Sequence, residues 1–193
     1  MNINDVKVVL ASKSPRRQEL LKYITDEFIV IPSEYEENVP EGLDAENVPE
    51  FLAVKKALDV AKDHPDELGI GCDTVVICGG IILGKPKDKT DAFRMLCTLS
   101  GRTHQVISGV CLCLKGKTMS FSQTTDVNFY SLREEDIIRY IDTEPVLDKA
   151  GSYGIQDGAA LFVEGISGDY YNVVGFPIAK LRLEIEKFLS LFN

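Results

Sequence analysis

Leu68-Gly69-Ile70-Gly71-Cys72-Asp73-Thr74-Val75-Val76-Ile77-Cys78-Gly79-Gly80-Ile81-Ile82-Leu83 is the stretch that decides the fold class. From Leu68 to Cys78 both alternating faces are apolar, the pattern of a central strand covered on both sides. Gly79-Gly80 can supply the positive φ angles of a two-residue turn, and Ile81-Ile82-Leu83 then returns as the second arm of a hairpin. One carboxylate, Asp73, interrupts the apolar run.

Helices and strands alternate on the N-terminal side of this strand. Val6 to Leu10 is an apolar strand, and Ser14-Pro15 reads as a helix N-cap followed by proline at the first helical position, opening a helix over about 14–24. Phe28 to Ile31 is a short strand that ends in the acidic loop Glu34-Tyr35-Glu36-Glu37. Over about 47–62, Phe51, Val54, Leu58 and Ala61 recur at helical spacing. On the C-terminal side, Asp91 to Leu99 predicts a helix, with Ala92, Met95, Leu96 and Leu99 on one side. Gln105 to Leu114, a Lys115-Gly116 turn and Thr118 to Tyr130 predict a long antiparallel hairpin. Ser131-x-x-Glu134 predicts a capping box opening a helix through Ile141. Asp148 to Gly158 is a glycine-rich polar loop, Leu161 to Val163 a strand, and Ile178 to Phe192 a final helix with Ile178, Leu181, Ile185, Phe188 and Phe192 on its buried stripe. Early strand–helix alternation with a hairpin mid-chain predicts an α/β protein with a mixed, twisted sheet and flanking helices. The chain, 193 residues with no repeat or linker, is expected to be one domain, 1–193, in which the central hairpin forms a lobe and a cleft beside it takes the ligand.

A net charge of −9 argues against a nucleic-acid or acidic-membrane partner. No apolar run has the length of a membrane span, and no signal-peptide pattern opens the chain, so the expected location is the cytoplasm. Five cysteines, with no CxxC among them, read as reduced core thiols. Two histidines, His64 and His104, do not suit a Cys/His zinc site. There is no GxxxxGK[ST] loop and no GxGxxG fingerprint, and no Ser-His-Asp or Cys-His pairing is suggested.

Several residues carry chemistry against that acidic background. Arg16 and Arg17 lie in a first helical turn, where the macrodipole disfavours positive charge by under about 1 kcal/mol each. They are either solvated or part of an anion cradle at the helix N-terminus, with Ser12 in the preceding loop. Asp73 is either a strand-end carboxylate that accepts backbone hydrogen bonds or one member of an oxygen cluster for magnesium or manganese, together with Glu36 or Glu37. Lys56 borders the apolar face of its helix, snorkelling or reaching a ligand, while Lys55 can pair with Asp59 on the outside. Lys85, in the rigid turn Gly84-Lys85-Pro86, could be held towards a ligand or be a plain turn lysine. Two glycine-rich loops, Asp148 to Gln156 and Gly165 to Pro177, add polar side chains.

These segments together resemble the Maf family of nucleoside triphosphate pyrophosphatases. The matching pieces run in order: Leu10 to Arg17, Glu36-Glu37, Ala53 to Ala57 with Lys56, Gly71 to Val76 with Asp73, Gly84-Lys85-Pro86, Leu99 to His104, Asp148 to Gln156, and Gly168 to Pro177. They span nearly the whole chain. The resemblance implies the mixed α/β fold of the inosine triphosphate pyrophosphatases, with two lobes around a central cleft, and a homodimer. It implies hydrolysis of a nucleoside triphosphate between the α and β phosphates, aided by a divalent cation, Mg2+ or Mn2+. By the same resemblance Asp73 would activate water, Glu37 (or Glu36) and Asp73 would hold the metal, and Ser12, Arg16, Arg17, Lys56 and Lys85 would contact the triphosphate. Arg16, Thr74 and Gln156 form the combination of members acting on dTTP and UTP. The branch acting on 7-methyl-GTP carries tryptophan, glutamine and glutamate there. Two other readings stay open at this stage: a pyrophosphatase of different base preference, and a nucleotide-binding regulator without turnover.

Overall fold

A computed structural model describes residues 1–192. Its strands are β1 (Val8–Leu10), β2 (Phe28–Val30), β3 (Leu68–Cys78), β4 (Ile81–Leu83), β5 (Thr103–Leu114), β6 (Lys117–Phe129) and β7 (Val163–Ser167). Its α-helices are α1 (Pro15–Leu21), α2 (Val48–Ala61), α3 (Lys89–Leu99), α4 (Glu134–Thr143), α5 (Tyr170–Val174) and α6 (Ile178–Ser190). The strand order is β2-β1-β3-β5-β6-β7, with β4 paired to β3. β1 is parallel to both β2 and β3, whereas β4 on β3 and β7 on β6 are antiparallel, so the sheet is mixed as the sequence predicts.

The chain forms two compact units. Unit one comprises Met1–Asp73, Ser108–Gln123 and Gly175–Asn193, and unit two comprises Thr74–Ile107 and Thr124–Val174. In unit one, Val9, Leu10, Leu68 and Ile70 build the buried strands, and Leu181, Ile185 and Phe188 bury the stripe expected of α6. Glycine sets how closely α2 packs there. A Cβ on Gly71 would lie 2.3 Å from the Ala53 carbonyl oxygen and 2.7 Å from the Ala57 nitrogen, so the backbones of β3 and α2 touch. Ala53 and Ala57 also pack on Cys111 and Cys113 of β5, whose thiols are free.

That packing corrects the expected face of α2. Leu58 is exposed, and the buried residues are Val48, Pro49, Leu52, Ala53, Ala57 and Val60. Large residues drew the predicted stripe, but close approach to a glycine strand requires alanines.

In unit two, Gly79 and Gly80 both take positive φ, and Cys78 pairs with Ile81 across the turn, which is the predicted hairpin. α4 begins differently from expectation, with Arg133 and not Ser131 at the N-cap. Residues 130–132 lie outside the helix, where the Tyr130 amide donates to the Phe162 carbonyl and the Leu132 amide donates to Ser100 Oγ at 2.7 Å. Glu134, Glu135 and Asp136 then supply the negative first turn that a helix favours. The strand expected at Leu161 starts two residues later, because Gly158–Leu161 turns as a 3-10 helix. Cys97 is exposed and not a core thiol, since it follows Leu96 on α3 and points away from the buried Ala92, Leu96 and Leu99. Among the described residues, no helix is long and apolar enough to cross a membrane.

Candidate active site

β1 ends at Leu10, and the chain enters α1 through Ser14, with Pro15 at the first helical position. Ser14 makes no side-chain cap. Its amide instead donates to Ser12 Oγ at 3.3 Å, and Ser12 is buried. Arg17, in the first turn of α1, donates from Nη1 to Ser12 Oγ at 3.2 Å and to the Cys72 carbonyl at 2.7 Å, and from Nε to the Gly175 carbonyl at 3.0 Å. A basic first turn, unusual by the macrodipole argument, therefore has one arginine clamping the loop and the carbonyl that precedes Asp73. Arg16 is partly exposed on the same turn.

The close contact of β3 with α2 places Lys56 beside Asp73. Lys56 Nζ donates to Asp73 Oδ1 at 2.6 Å and to Glu37 Oε1 at 2.7 Å. Lys56 and Asp73 keep 15% and 13% of their side-chain surface exposed, while Glu37 keeps 55%. The buried carboxylate in β3 is thus paired, as its desolvation requires. Burial raises the Asp73 pKa above the ordinary carboxylate value. Lys56 and Arg17 oppose that rise, and Glu37 adds to it. Burial also works to strip the proton from Lys56, but the two carboxylates outweigh it and its pKa lies above the ordinary lysine value. The group is a firmly protonated ammonium against a carboxylate of increased basicity.

Glu37 reaches this pair because its loop is latched to α2. Asp59 Oδ2 accepts from Ser33 Oγ at 2.8 Å and from the Glu34 amide at 2.9 Å, and Ser33 Oγ accepts from the Tyr35 amide at 3.1 Å. Asp59 therefore serves the loop and Lys62, not the expected Lys55, whose ammonium lies over the Phe51 ring. The contact to Lys56 falls on Glu37 and not on Glu36. Among the described residues no three His, Cys, Asp or Glu side chains form a metal-binding group. Two carboxylates still fit a hard cation such as Mg2+, which usually takes one or two protein carboxylates and completes its shell with water and substrate phosphate.

The remaining expected residues, Thr74, Lys85 and Gln156, belong to unit two. Lys85 and Gln156 are exposed, and Thr74 is half-buried beside Asp73 in β3. Their loops are joined, since the Gly151 amide donates to the Gly84 carbonyl at 3.0 Å. A Cβ on Gly151, which has φ +67°, would meet the Val76 side chain at 3.0 Å, so only glycine suits this seam. Sequence reasoning missed the Asp59 latch and the burial of Lys149. A serine–carboxylate pair separated by 26 residues leaves no local signal.

The family model described as "Maf-like protein" matches residues 7–188 of the chain. The chain belongs to the Maf-like protein family. Within that family, a dTTP/UTP pyrophosphatase of Bacillus cytotoxicus is 48% identical over 184 residues, covering 95% of this chain and 96% of the relative. A dTTP/UTP pyrophosphatase of Bacillus mycoides is 45% identical with the same coverage of both chains. The fold of this Maf-like chain resembles that of the Staphylococcus aureus Ham1 protein, with a TM-score of 0.55 at 18% identity over 94% of this chain and 98% of that one.

Proposed function

We propose that this Maf-like chain is a pyrophosphatase that hydrolyses dTTP and UTP to the monophosphate and pyrophosphate. The observation that carries the reading is the Lys56 ammonium lying 2.6 Å from Asp73 and 2.7 Å from Glu37, next to an arginine-clamped strand–helix loop. The similarity to relatives named dTTP/UTP pyrophosphatase supports the base preference.

A triphosphate carries about four negative charges, which repel an attacking water until cations offset them. Lys56, Lys85, Arg16 and Arg17 supply positive charge, with Ser12 as a hydroxyl partner. Arg17 has the Ser12 and carbonyl bonds to keep, so its part is chiefly to hold the loop in shape. Asp73 takes the proton from the water that attacks the α phosphorus, and its raised pKa makes it the better base. Lys56 engages Asp73 through Oδ1, which leaves Oδ2 for that proton. Glu37 and Asp73 would hold a divalent cation, Mg2+ or Mn2+, whose chemistry is to neutralise phosphate charge and orient the anhydride. Thr74 and Gln156 face the base in this reading. The Gln156 amide offers a donor and an acceptor, matching the alternating O2, N3–H and O4 edge of uracil or thymine. A cytoplasmic homodimer without nucleic-acid or membrane partners accords with the family resemblance and the net charge of −9.

The test is incubation of the purified protein with dTTP or UTP and Mg2+ or Mn2+, with separation of products. Monophosphate and pyrophosphate are expected. Diphosphate with inorganic phosphate would assign the wrong bond.

A further inference from the structure

Lys149 is 4% exposed, the most deeply buried charged residue of unit two. Its ammonium lies 3.1 Å from Asp157 Oδ2 and 3.3 Å from Asp148 Oδ1, and it also donates to the Pro145 carbonyl. Lysine is almost never fully buried unless paired. An apolar residue of similar volume at such a place is often neutral or stabilising, so stability alone does not account for the charge. The arrangement accounts for it. Asp148 and Asp157 bracket the loop that carries Gln156, and Lys149 ties both ends to one point. The chain passes directly over this ion pair at Gly154, where a Cβ would stand 2.4 Å from Asp157 Oδ2 and 2.9 Å from Lys149 Cε. The Gly154 amide donates to Tyr140 Oη at 3.1 Å, which fixes the loop from its other side two residues before Gln156. Gln156 itself is exposed. Its direction is therefore set by the backbone that Lys149 and Asp157 hold.

We propose that Lys149, through its ion pair with Asp157 beneath Gly154, is a positioning residue for base selection: it fixes the loop so that the Gln156 amide meets the pyrimidine edge. This rests on the reading that Gln156 pairs with the base.

The experiment compares kcat/KM for UTP with that for GTP in the parent, Gln156→Glu, Lys149→Met, Asp157→Asn and the Lys149→Met/Gln156→Glu double variant. Lys149→Met is expected to lower the UTP:GTP ratio by roughly tenfold, the scale of one mismatched polar contact. Asp157→Asn is expected to shift it in the same direction. The double variant should fall no further than Gln156→Glu alone, because both changes act through one amide. A purely structural role would lower UTP and GTP use alike, and an unchanged ratio in Lys149→Met and Asp157→Asn overturns the proposal. If Lys149→Met does not fold, Asp157→Asn, whose side chain is 32% exposed, decides the matter alone. If Gln156→Glu leaves the ratio unchanged, the base reading itself fails. A Lys149→Met effect that survives that result would overturn action through Gln156.

Discussion

Lys56 Nζ stands 2.6 Å from Asp73 Oδ1, and this contact exists because α2 and β3 meet at Gly71 with no side chain between them. The residue that brings the pair together is thus neither member of it. A Cβ there would stand 2.3 Å from the Ala53 carbonyl oxygen, so strand and helix meet backbone to backbone, and the two charged side chains flanking that seam come together.

Gly71→Ala should therefore harm both stability and chemistry. Its Cβ would meet backbone at 2.3 Å, which a flexible side chain cannot relieve. Overpacking of this kind costs about 1–3 kcal/mol, measurable by urea unfolding. Activity per folded molecule should drop as well, since α2 must move and carry Lys56 with it. Unchanged activity per folded molecule would mean that the seam does not set the Lys56–Asp73 geometry.

Asp73→Asn keeps volume while removing the carboxylate charge. Turnover should fall by roughly 100-fold or more if Asp73 accepts the water proton. Lys56 keeps Glu37 as a partner, so nucleotide binding should survive, and titration with a non-hydrolysable UTP analogue would check it. Near-parental turnover would remove Asp73 from the chemistry.

Much of this architecture is legible in the residues. Leu68–Cys78 and the Gly79-Gly80 turn are where the sequence places them, because a run apolar on both faces, interrupted chiefly at Asp73, and paired glycines have few structural alternatives. The Ser14-Pro15 helix start is legible for the same local reason, although the hydroxyl that accepts there is that of Ser12. What fails is long-range. The buried face of α2 is written in alanines whose meaning depends on a glycine in another strand, and the Ser131 cap loses to the hydrogen bonds that the Leu132 and Tyr130 amides donate to Ser100 Oγ and the Phe162 carbonyl. At the candidate site, Lys56 and Asp73 stand out singly by their placement in apolar surroundings. Their mutual contact, and the latch from Asp59 that brings Glu37 to them, are tertiary facts without sequence spacing to announce them.

The two lysines should separate cleanly in mutagenesis. Lys85 is exposed in its turn, so Lys85→Ala should leave the unfolding midpoint within error while lowering activity. Lys56→Met leaves Asp73 buried without its nearest cation and should cost about 1–3 kcal/mol in addition to activity. Urea midpoints measured beside activity per folded molecule would show the contrast. A destabilised Lys85→Ala of unchanged specific activity would return Lys85 to the role of an ordinary turn residue.

His104 makes unit two sensitive to acid. Its ring is 2% exposed, and Nε2 lies 2.8 Å from Tyr153 Oη with Phe129 packed edge-on at 4.9 Å. Burial lowers its pKa to about 4, against a smaller opposing contribution from the Arg102 backbone. In the unfolded chain the ring titrates near its ordinary value of about 6.5. Between those values the unfolded state binds the extra proton, so stability is present at neutral pH and is lost as pH falls from about 6.5 towards about 4. For one such group the loss between pH 7 and pH 5 is about 2 kcal/mol. Surface carboxylates begin to titrate over the same range, so the informative quantity is a difference. His104→Gln has no imidazole to charge, and its urea-unfolding free energy should fall less between these pH values than that of the parent, by about that amount. Equal losses in the two proteins would mean that His104 is not the group that acid protonates on unfolding.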